Sequence, residues 1–359
     1  MDSLLELFSG IGGMRTAFHL AGYQFSQVTS VDMSLNCHNV YRKVFGCNDK
    51  EVAKDVCSLS LDWFEKLNAS IWSMSPPCQP YTRQGNQLNE FDTRNKALDH
   101  IIKFLEDMTR LPKLVLLENV DGFQRSESCA KLVQVLQTRG FNVKGYLVNP
   151  LDYGFPNSRL RFYLIARNDH HSNEFQVLTE LSCSSESSGC VFKKHTISEF
   201  IDSESNQLLI VPDSLLEKAS SVVLDVVADR SKQSLCFTGN YGRWLKGAGS
   251  VLMLDPSSVS TWDNQSRPLL NLTADRMNEL TGNIRYFSPF EISRLQGFKC
   301  DRHVPMTCLT HSRLVDFKLD DEPDYKEALS DIPLRTAFKV LGNSLNPRIV
   351  AMILKMNAQ

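Results

Sequence analysis

The stretch Leu4-Leu5-Glu6-Leu7-Phe8-Ser9-Gly10-Ile11-Gly12-Gly13-Met14 decides the fold. Leu4 to Phe8 is a short apolar strand that runs through a glycine-rich turn into a helix ending near Gly22, a residue suited to the position after a helix C-terminus. A turn of this kind lets the backbone approach a ligand, with the amides of the helix N-terminus pointing outward. Working outward, Gln27 to Val31 forms a second strand ending at Asp32, and Ser34 caps a helix up to Phe45-Gly46. Val52 to Lys54 forms a third strand ending at Asp55. A helix over Leu61 to Leu67 leads into an apolar strand around Ile71. Helical spacing over Leu98 to Met108, a strand from Lys113 to Leu117, a helix through Leu132 and Leu136, and strands at Phe141 to Val148 and Leu160 to Ala166 complete the pattern. Repeated strand–helix units of this length predict an α/β fold with a mixed, mainly parallel sheet covered on both faces.

The texture changes after Arg167. Ser182-Cys-Ser-Ser-Glu-Ser-Ser188 is polar and of low complexity, which predicts a mobile loop. From there to about Asn283 strands are shorter and Gly, Ser and Pro more frequent, as in a smaller, irregular domain. Ile284 to Phe298 and Thr336 to Met356 look helical and return to the first domain. The expected boundaries are 1–168, 169–283 and 284–359.

Composition restricts the function classes. With 359 residues, 42% hydrophobic and 22% charged, the chain has the make-up of a globular enzyme. A formal charge of −2 argues against a strongly basic, non-specific nucleic-acid binder but leaves room for a local basic face. No apolar run approaches the roughly 20 residues that span a bilayer, and no signal peptide is evident at the N-terminus. Ten cysteines without regular pairing point to a reducing compartment, cytoplasmic or nuclear. Cys300-x-x-His303 followed by Cys308-x-x-His311 has half-site spacing for zinc. The connection between the halves is too short for a usual knuckle, so no metal is expected.

The chemistry centres on Ser73-Met-Ser-Pro-Pro-Cys-Gln-Pro80. Two prolines stiffen the turn that carries Cys78 at the carboxyl end of a buried strand, where open α/β sheets build their sites. A structural cysteine would be the better reading of that thiol in isolation. Asp32 and Asp55, at the ends of the second and third strands, are each as readily helix caps as ligands. Together with the glycine turn they describe a nucleoside site, the first acid for ribose hydroxyls and the second for an adenine amino group. The lack of a second glycine-rich phosphate loop favours S-adenosylmethionine over NAD. Glu118, directly after Leu114-Val-Leu-Leu117, tops a central strand, beside Cys78 if the two strands are neighbours. Arg159 and Arg161 alternate on a strand and so point to one face. Two adjacent guanidiniums call for an anion between them, be it Glu118, a phosphate or a base carbonyl. Leu341-Gly-Asn-Ser-Leu-Asn346-Pro347 either closes the cofactor pocket or simply starts a capped helix.

Taken together, Phe-x-Gly-x-Gly at Phe8 to Gly12, Pro-Pro-Cys-Gln-Pro at Pro76 to Pro80, Glu-Asn-Val at Glu118 to Val120, Arg-x-Arg at Arg159 to Arg161 and Gly-Asn-Ser-x-Asn at Gly342 to Asn346 resemble the cytosine-5 methyltransferases in type and order. Leu235-Cys-Phe-Thr-Gly239 resembles the branch of that family acting on aspartate tRNA. The resemblance implies a Rossmann-like class I S-adenosylmethionine-dependent methyltransferase fold with a second, smaller target-recognition domain. It implies methyl transfer to carbon 5 of an anticodon-loop cytosine, cytosine 38 of aspartate tRNA, with S-adenosylhomocysteine as the other product.

The same resemblance implies Cys78, Glu118, Arg159 and Arg161 as the catalytic set. Phe8, Ile11, Gly12 and Gly13 would surround the methionine moiety, Asp32 and Met33 the ribose, Asp55 and Val56 the adenine, with Gly10, Pro77, and Asn343 and Asn346 from the C-terminal motif, also at the cofactor. Cys236, Phe237 and Thr238 would face the nucleic acid, with packing as the other reading of Cys236. The implied partner is tRNA, with DNA weaker, no membrane, and a monomeric enzyme. A DNA cytosine-5 methyltransferase with the same chemistry and a binding protein that has lost catalysis are the alternatives. The segment from Cys300 to about Ser330, acidic at Asp320-Asp-Glu322, carries no assigned role.

Overall fold

The computed structural model describes residues 1–46, 49–77, 96–169, 174–181, 190–202, 209–218, 223–258, 269–271 and 278–358. Cys78 and the serine-rich stretch 182–188 lie outside the described residues.

The first strand, β1 (Asp2–Leu7), leads through the glycine turn to α1 (Gly13–Leu20). It is followed by β2 (Phe25–Asp32), α2 (Leu35–Phe45), β3 (Lys50–Ala53), α3 (Leu61–Leu67), β4 (Ile71–Met74), α4 (Lys96–Asp107), β5 (Leu114–Val120), α5 (Glu127–Thr138), β6 (Phe141–Val148), β7 (Arg161–Asn168) and β8 (Val177–Leu178). These strands form one sheet in the order β3-β2-β1-β4-β5-β7-β6-β8. The pairs from β3 to β5 are parallel, whereas β7 runs antiparallel to both β5 and β6. The sheet is therefore mixed and mainly parallel, as in a class I methyltransferase.

Side-chain alternation along the strands sorts the core into two layers. Leu5, Leu7, Val115 and Leu117 pack with α3, α4 and α5. Leu4, Ile71, Leu114 and Leu116 face the opposite way, onto α1 and the C-terminal helix. Both faces are thus apolar and covered, which is why the strands read as continuous hydrophobic runs.

After α6 (Asp213–Lys218), a second, four-stranded sheet joins β9 (Val223–Val227), β10 (Val251–Met253), β11 (Leu269–Asn271) and β12 (Ile284–Arg285) in the order β11-β9-β10-β12. The expectation of a helix from Ile284 is corrected here. Ile284 and Arg285 pair with Met253 and Leu252, and α7 (Pro289–Leu295) starts only after Ser288. Ser288 and Glu291 make a reciprocal capping box, and the buried Arg285 guanidinium reaches back to the Glu291 carboxylate at 2.7 Å and 2.8 Å. That ion pair fixes the strand-to-helix corner. The apolar pattern from Thr336 to Met356 is two helices, α9 (Leu334–Gly342) and α10 (Pro347–Met356), after a short α8 (Lys326–Ser330); the break falls on Asn343 to Asn346.

Candidate active site

Register brings the carboxyl ends of the parallel strands to one edge. Leu7 lies opposite both Val31 and Met74, and Met74 opposite Leu117. The glycine turn, Asp32, the Ser75–Pro77 segment and Glu118 consequently share one rim. Because β7 is antiparallel, its first residue, Arg161, lies at the same rim opposite Val120.

The turn is built from left-handed backbone at Phe8 (φ 55°), Gly10 (φ 53°) and Gly12 (φ 85°). A Cβ on Gly12 would fall 2.2 Å from the Phe45 ring, whereas one on Gly10 would meet nothing within 4 Å. The turn is therefore closed below and open at Gly10. Asp32 fastens it to β2: one carboxylate oxygen accepts the Gly10 N–H at 2.9 Å and the other the Ser34 N–H at 2.7 Å. The adjacent Met33 is 72% exposed. Asp55 caps a short helical turn by accepting the Cys57 N–H at 3.0 Å, with Val56 buried behind it. Ile11 and Gly13 are also buried.

Support for the turn comes from a residue that sequence reasoning missed. The Tyr325 hydroxyl, in the segment left without a role, lies 2.8 Å from Thr16 Oγ1 and donates to the Ile11 carbonyl at 3.1 Å. Nothing local in the sequence marks Tyr325, since its partners are far away in the chain.

Cys78 lies outside the described residues, but the proline pair leading to it is held beside β5. The Asn119 side-chain amide donates to the Pro76 carbonyl at 3.3 Å. One residue earlier, the Glu118 carboxylate is 11% exposed and its Oε1 lies 3.2 Å from Arg161 Nε, whose side chain is 16% exposed. Burial pushes the Glu118 carboxyl above its ordinary value, opposed by the Arg161 and Arg159 guanidiniums.

The two arginines do not share a strand face as expected, because β7 begins only at Arg161. The Arg159 backbone N–H is taken by Asn149 Oδ1 at 2.9 Å instead of a ladder carbonyl. The guanidiniums nevertheless converge on one atom, the Cys236 sulfur. Arg159 Nη1 donates to it at 3.1 Å, and Arg161 Nη2 lies 3.8 Å away. Burial pushes the Cys236 thiol up, but the two guanidiniums outweigh it and the net direction is down.

Arg159 also binds backbone. Its Nη1 donates to the Phe237 carbonyl at 3.2 Å, and its Nη2 to the Gly342 carbonyl at 3.1 Å and to the Ser344 carbonyl. It therefore clamps the Cys236-Phe-Thr segment to the Gly-Asn-Ser motif. The contact is tight: a Cβ on Gly342 would fall 2.1 Å from the Thr238 carbonyl carbon. Thr238 is half-buried, and Phe237 is buried edge-on against Tyr241 and Phe287. Asn343 ends α9 with its Oδ1 turned towards Gly239. Asn346 is 1% exposed and spends its Oδ1 on the Arg348 and Ile349 amides. It caps α10, and its buried Nδ2 has no hydrogen-bond partner among the described residues.

The rim fits an adenosine-bearing methyl donor. Open space over Gly10, an exposed Met33 beside an acid, and the Asp55 turn lie side by side along the edge. A match to the family described as C-5 cytosine-specific DNA methylase covers residues 3–356. The chain is 30% identical to a human protein named tRNA (cytosine(38)-C(5))-methyltransferase, over 98% of each. It is 28% identical to a Schizosaccharomyces pombe protein of the same name, over 98% of this chain and 96% of that one. A crystal structure of a Spodoptera frugiperda DNMT2 mutant superposes with a TM-score of 0.75 at 25% identity, covering 100% of both chains.

Proposed function

Since the chain belongs to the C-5 cytosine-specific DNA methylase family, we propose that it methylates carbon 5 of cytosine 38 in a tRNA, aspartate tRNA foremost, using S-adenosylmethionine. The observation that carries the chemistry is the Glu118–Arg161 pair, one strand away from the proline turn that leads to Cys78. Support for a tRNA substrate comes from the relatives of that name, which match this chain end to end.

Carbon 5 of cytosine is a poor nucleophile until a group adds at carbon 6. Cys78, as thiolate, forms a C–S bond there and pushes the ring electrons towards N3. Glu118, whose carboxyl burial raises above its ordinary value, holds N3 and the exocyclic amine and delivers a proton to N3 as charge develops there. Arg161 holds the Glu118 carboxyl towards the base. S-adenosylmethionine, when bound, supplies an electrophilic methyl group; the glycine turn, Asp32, Met33, Asp55 and Val56 hold its nucleoside and methionine parts. Loss of the carbon 5 proton to solvent, expulsion of Cys78 as thiolate and return of the N3 proton to the Glu118 carboxylate then restore the aromatic ring. A stacked base cannot reach such a rim, and an anticodon loop presents an unpaired one at lower cost than a duplex.

The test incubates the protein with methyl-labelled S-adenosylmethionine and, separately, unmodified aspartate tRNA, the same tRNA lacking cytosine 38, and duplex DNA. Label is expected on the first alone or far above the others. Label on DNA alone overturns the substrate. Cys78→Ala is expected to lose turnover and keep S-adenosylhomocysteine binding by calorimetry; retained turnover removes the covalent step.

A further inference from the structure

Of the two Cys-x-x-His half-sites that the sequence sets close together, the first does not join the second. Cys300 is fully buried elsewhere, and His303 Nδ1 lies 2.8 Å from the Glu322 carboxylate. The second half-site, Cys308-Leu-Thr-His311, meets a third residue, Cys190. One ligand atom from each of Cys190, Cys308 and His311 falls within 4.8 Å of the others.

Backbone pairing builds this convergence. Phe192 and Cys308 form an antiparallel bridge, the Lys193 N–H donates to the Thr307 carbonyl at 3.0 Å, and the Leu309 N–H donates to the Val191 carbonyl at 2.7 Å. Cys190 is thereby brought alongside the Cys308–His311 turn. In that turn the His311 N–H donates to Cys308 Sγ at 3.2 Å. The His311 ring turns inward, with Nδ1 3.5 Å from Cys190 Sγ and 3.1 Å from the Thr310 hydroxyl. For zinc bonds of about 2.3 Å to sulfur and about 2.0 Å to nitrogen, a tetrahedral S···N edge is about 3.5 Å. The Cys190–His311 separation already has that length.

We propose that Cys190, Cys308 and His311 form a binding site for a soft divalent cation of the zinc type, held by two thiolates and one imidazole. The two sulfurs select against magnesium and calcium, which take oxygen ligands. The fourth position is left for a solvent water, since Cys190 and His311 are only partly buried. The ion would pin the Cys190–Lys193 segment to the Cys308–His311 turn before α8, so its role is to hold the two segments together.

Cobalt(II) reports such a site directly, because thiolate ligation gives a charge-transfer band that zinc lacks. Reduced full-length protein is titrated with cobalt(II) alone, then with zinc. One equivalent is expected to raise the band, and zinc to abolish it. Cys190→Ser and Cys308→Ser should each lose most of the signal, and Cys57→Ser, at an exposed position, none. His311→Ala keeps both thiols and is expected to weaken binding roughly tenfold or more. Saturating zinc should also raise the unfolding temperature of the wild type, but not of Cys308→Ser. No band in the wild type, or an unchanged band in both Cys190→Ser and His311→Ala, overturns the site. Folding of each variant is read independently by S-adenosylhomocysteine binding.

Discussion

Glu118 and Arg161 meet diagonally across β5 and β7. The register sets Glu118 opposite Tyr163 and Arg161 opposite Val120, yet Arg161 Nε reaches Glu118 Oε1 at 3.2 Å on the shared face. Diagonal neighbours on one face are within reach of long side chains. The pair therefore holds a carboxyl at the rim through a diagonal contact, and burial raises that carboxyl above its ordinary value against the pull of the Arg161 and Arg159 guanidiniums.

Replacing Glu118 with Gln keeps the shape and one donor but removes the transferable proton. Turnover is expected to fall by about 10²- to 10⁴-fold, the usual size of an acid–base contribution, while S-adenosylhomocysteine affinity is retained. Methyl transfer to tRNA and calorimetry on the same sample measure this. Turnover within a few-fold of wild type would remove Glu118 from the chemistry.

The two arginines should separate in their effects. Arg159 donates to the carbonyls of Phe237, Gly342 and Ser344, so Arg159→Ala leaves several carbonyls without their donor at a cost of about 2–4 kcal/mol. Arg159→Lys is expected not to rescue, since one ammonium cannot span a fork of acceptors. Arg161→Ala should lower turnover more than it lowers cofactor affinity and should cost less in stability. Urea unfolding of both variants decides the ranking; a larger stability loss for Arg161→Ala contradicts it.

Gly342→Ala tests the joint between the end of α9 and the Thr238–Gly239 segment. The added methyl would lie 2.1 Å from the Thr238 carbonyl carbon and 2.2 Å from the Gly239 nitrogen, both backbone atoms that cannot rotate aside. The expected destabilisation is about 1–3 kcal/mol, as for overpacking, together with loss of tRNA methylation. An unchanged unfolding midpoint would show that the joint yields freely.

Local periodicity made the sheet, the glycine turn and the rim acids legible, because strand ends and caps are specified by neighbours in sequence. Glu118 beside the Pro76–Pro77 turn was legible too, conditional on β4 and β5 pairing, which they do. Long-range partners were not. Arg159 read as a strand residue, yet Asn149 draws its backbone N–H out of the ladder. Asp32 read as a ribose ligand, and its carboxylate also ties down Gly10 and Ser34. Glu322 lay in an acidic segment left without a role, yet it is buried against Arg348 at 2.6 Å and anchors α10. Such pairings depend on which distant segment folds back, and no spacing rule encodes that.

Glu6 makes stability depend on pH in an unusual direction. It sits in β1 beneath the glycine turn, 1% exposed, accepting from the Tyr41 hydroxyl at 2.9 Å and from the Arg15 N–H at 3.3 Å. Burial pushes its carboxyl from 4.5 up to about 7, against the pull of those partners. Between these values the unfolded chain has released the proton and the native state still holds it. Stability from this group is thus full below about pH 4.5 and declines as pH rises to about 7, by roughly 3 kcal/mol over the interval. Other carboxylates, paired with cations in the native state, work in the opposite direction, so the decline is read as a difference. Glu6→Gln, neutral at every pH, should gain stability relative to wild type as pH rises from 5 to 7.5 in chemical unfolding. A constant difference across that range would mean that Glu6 is ionised throughout, with Arg15 as its counter-charge.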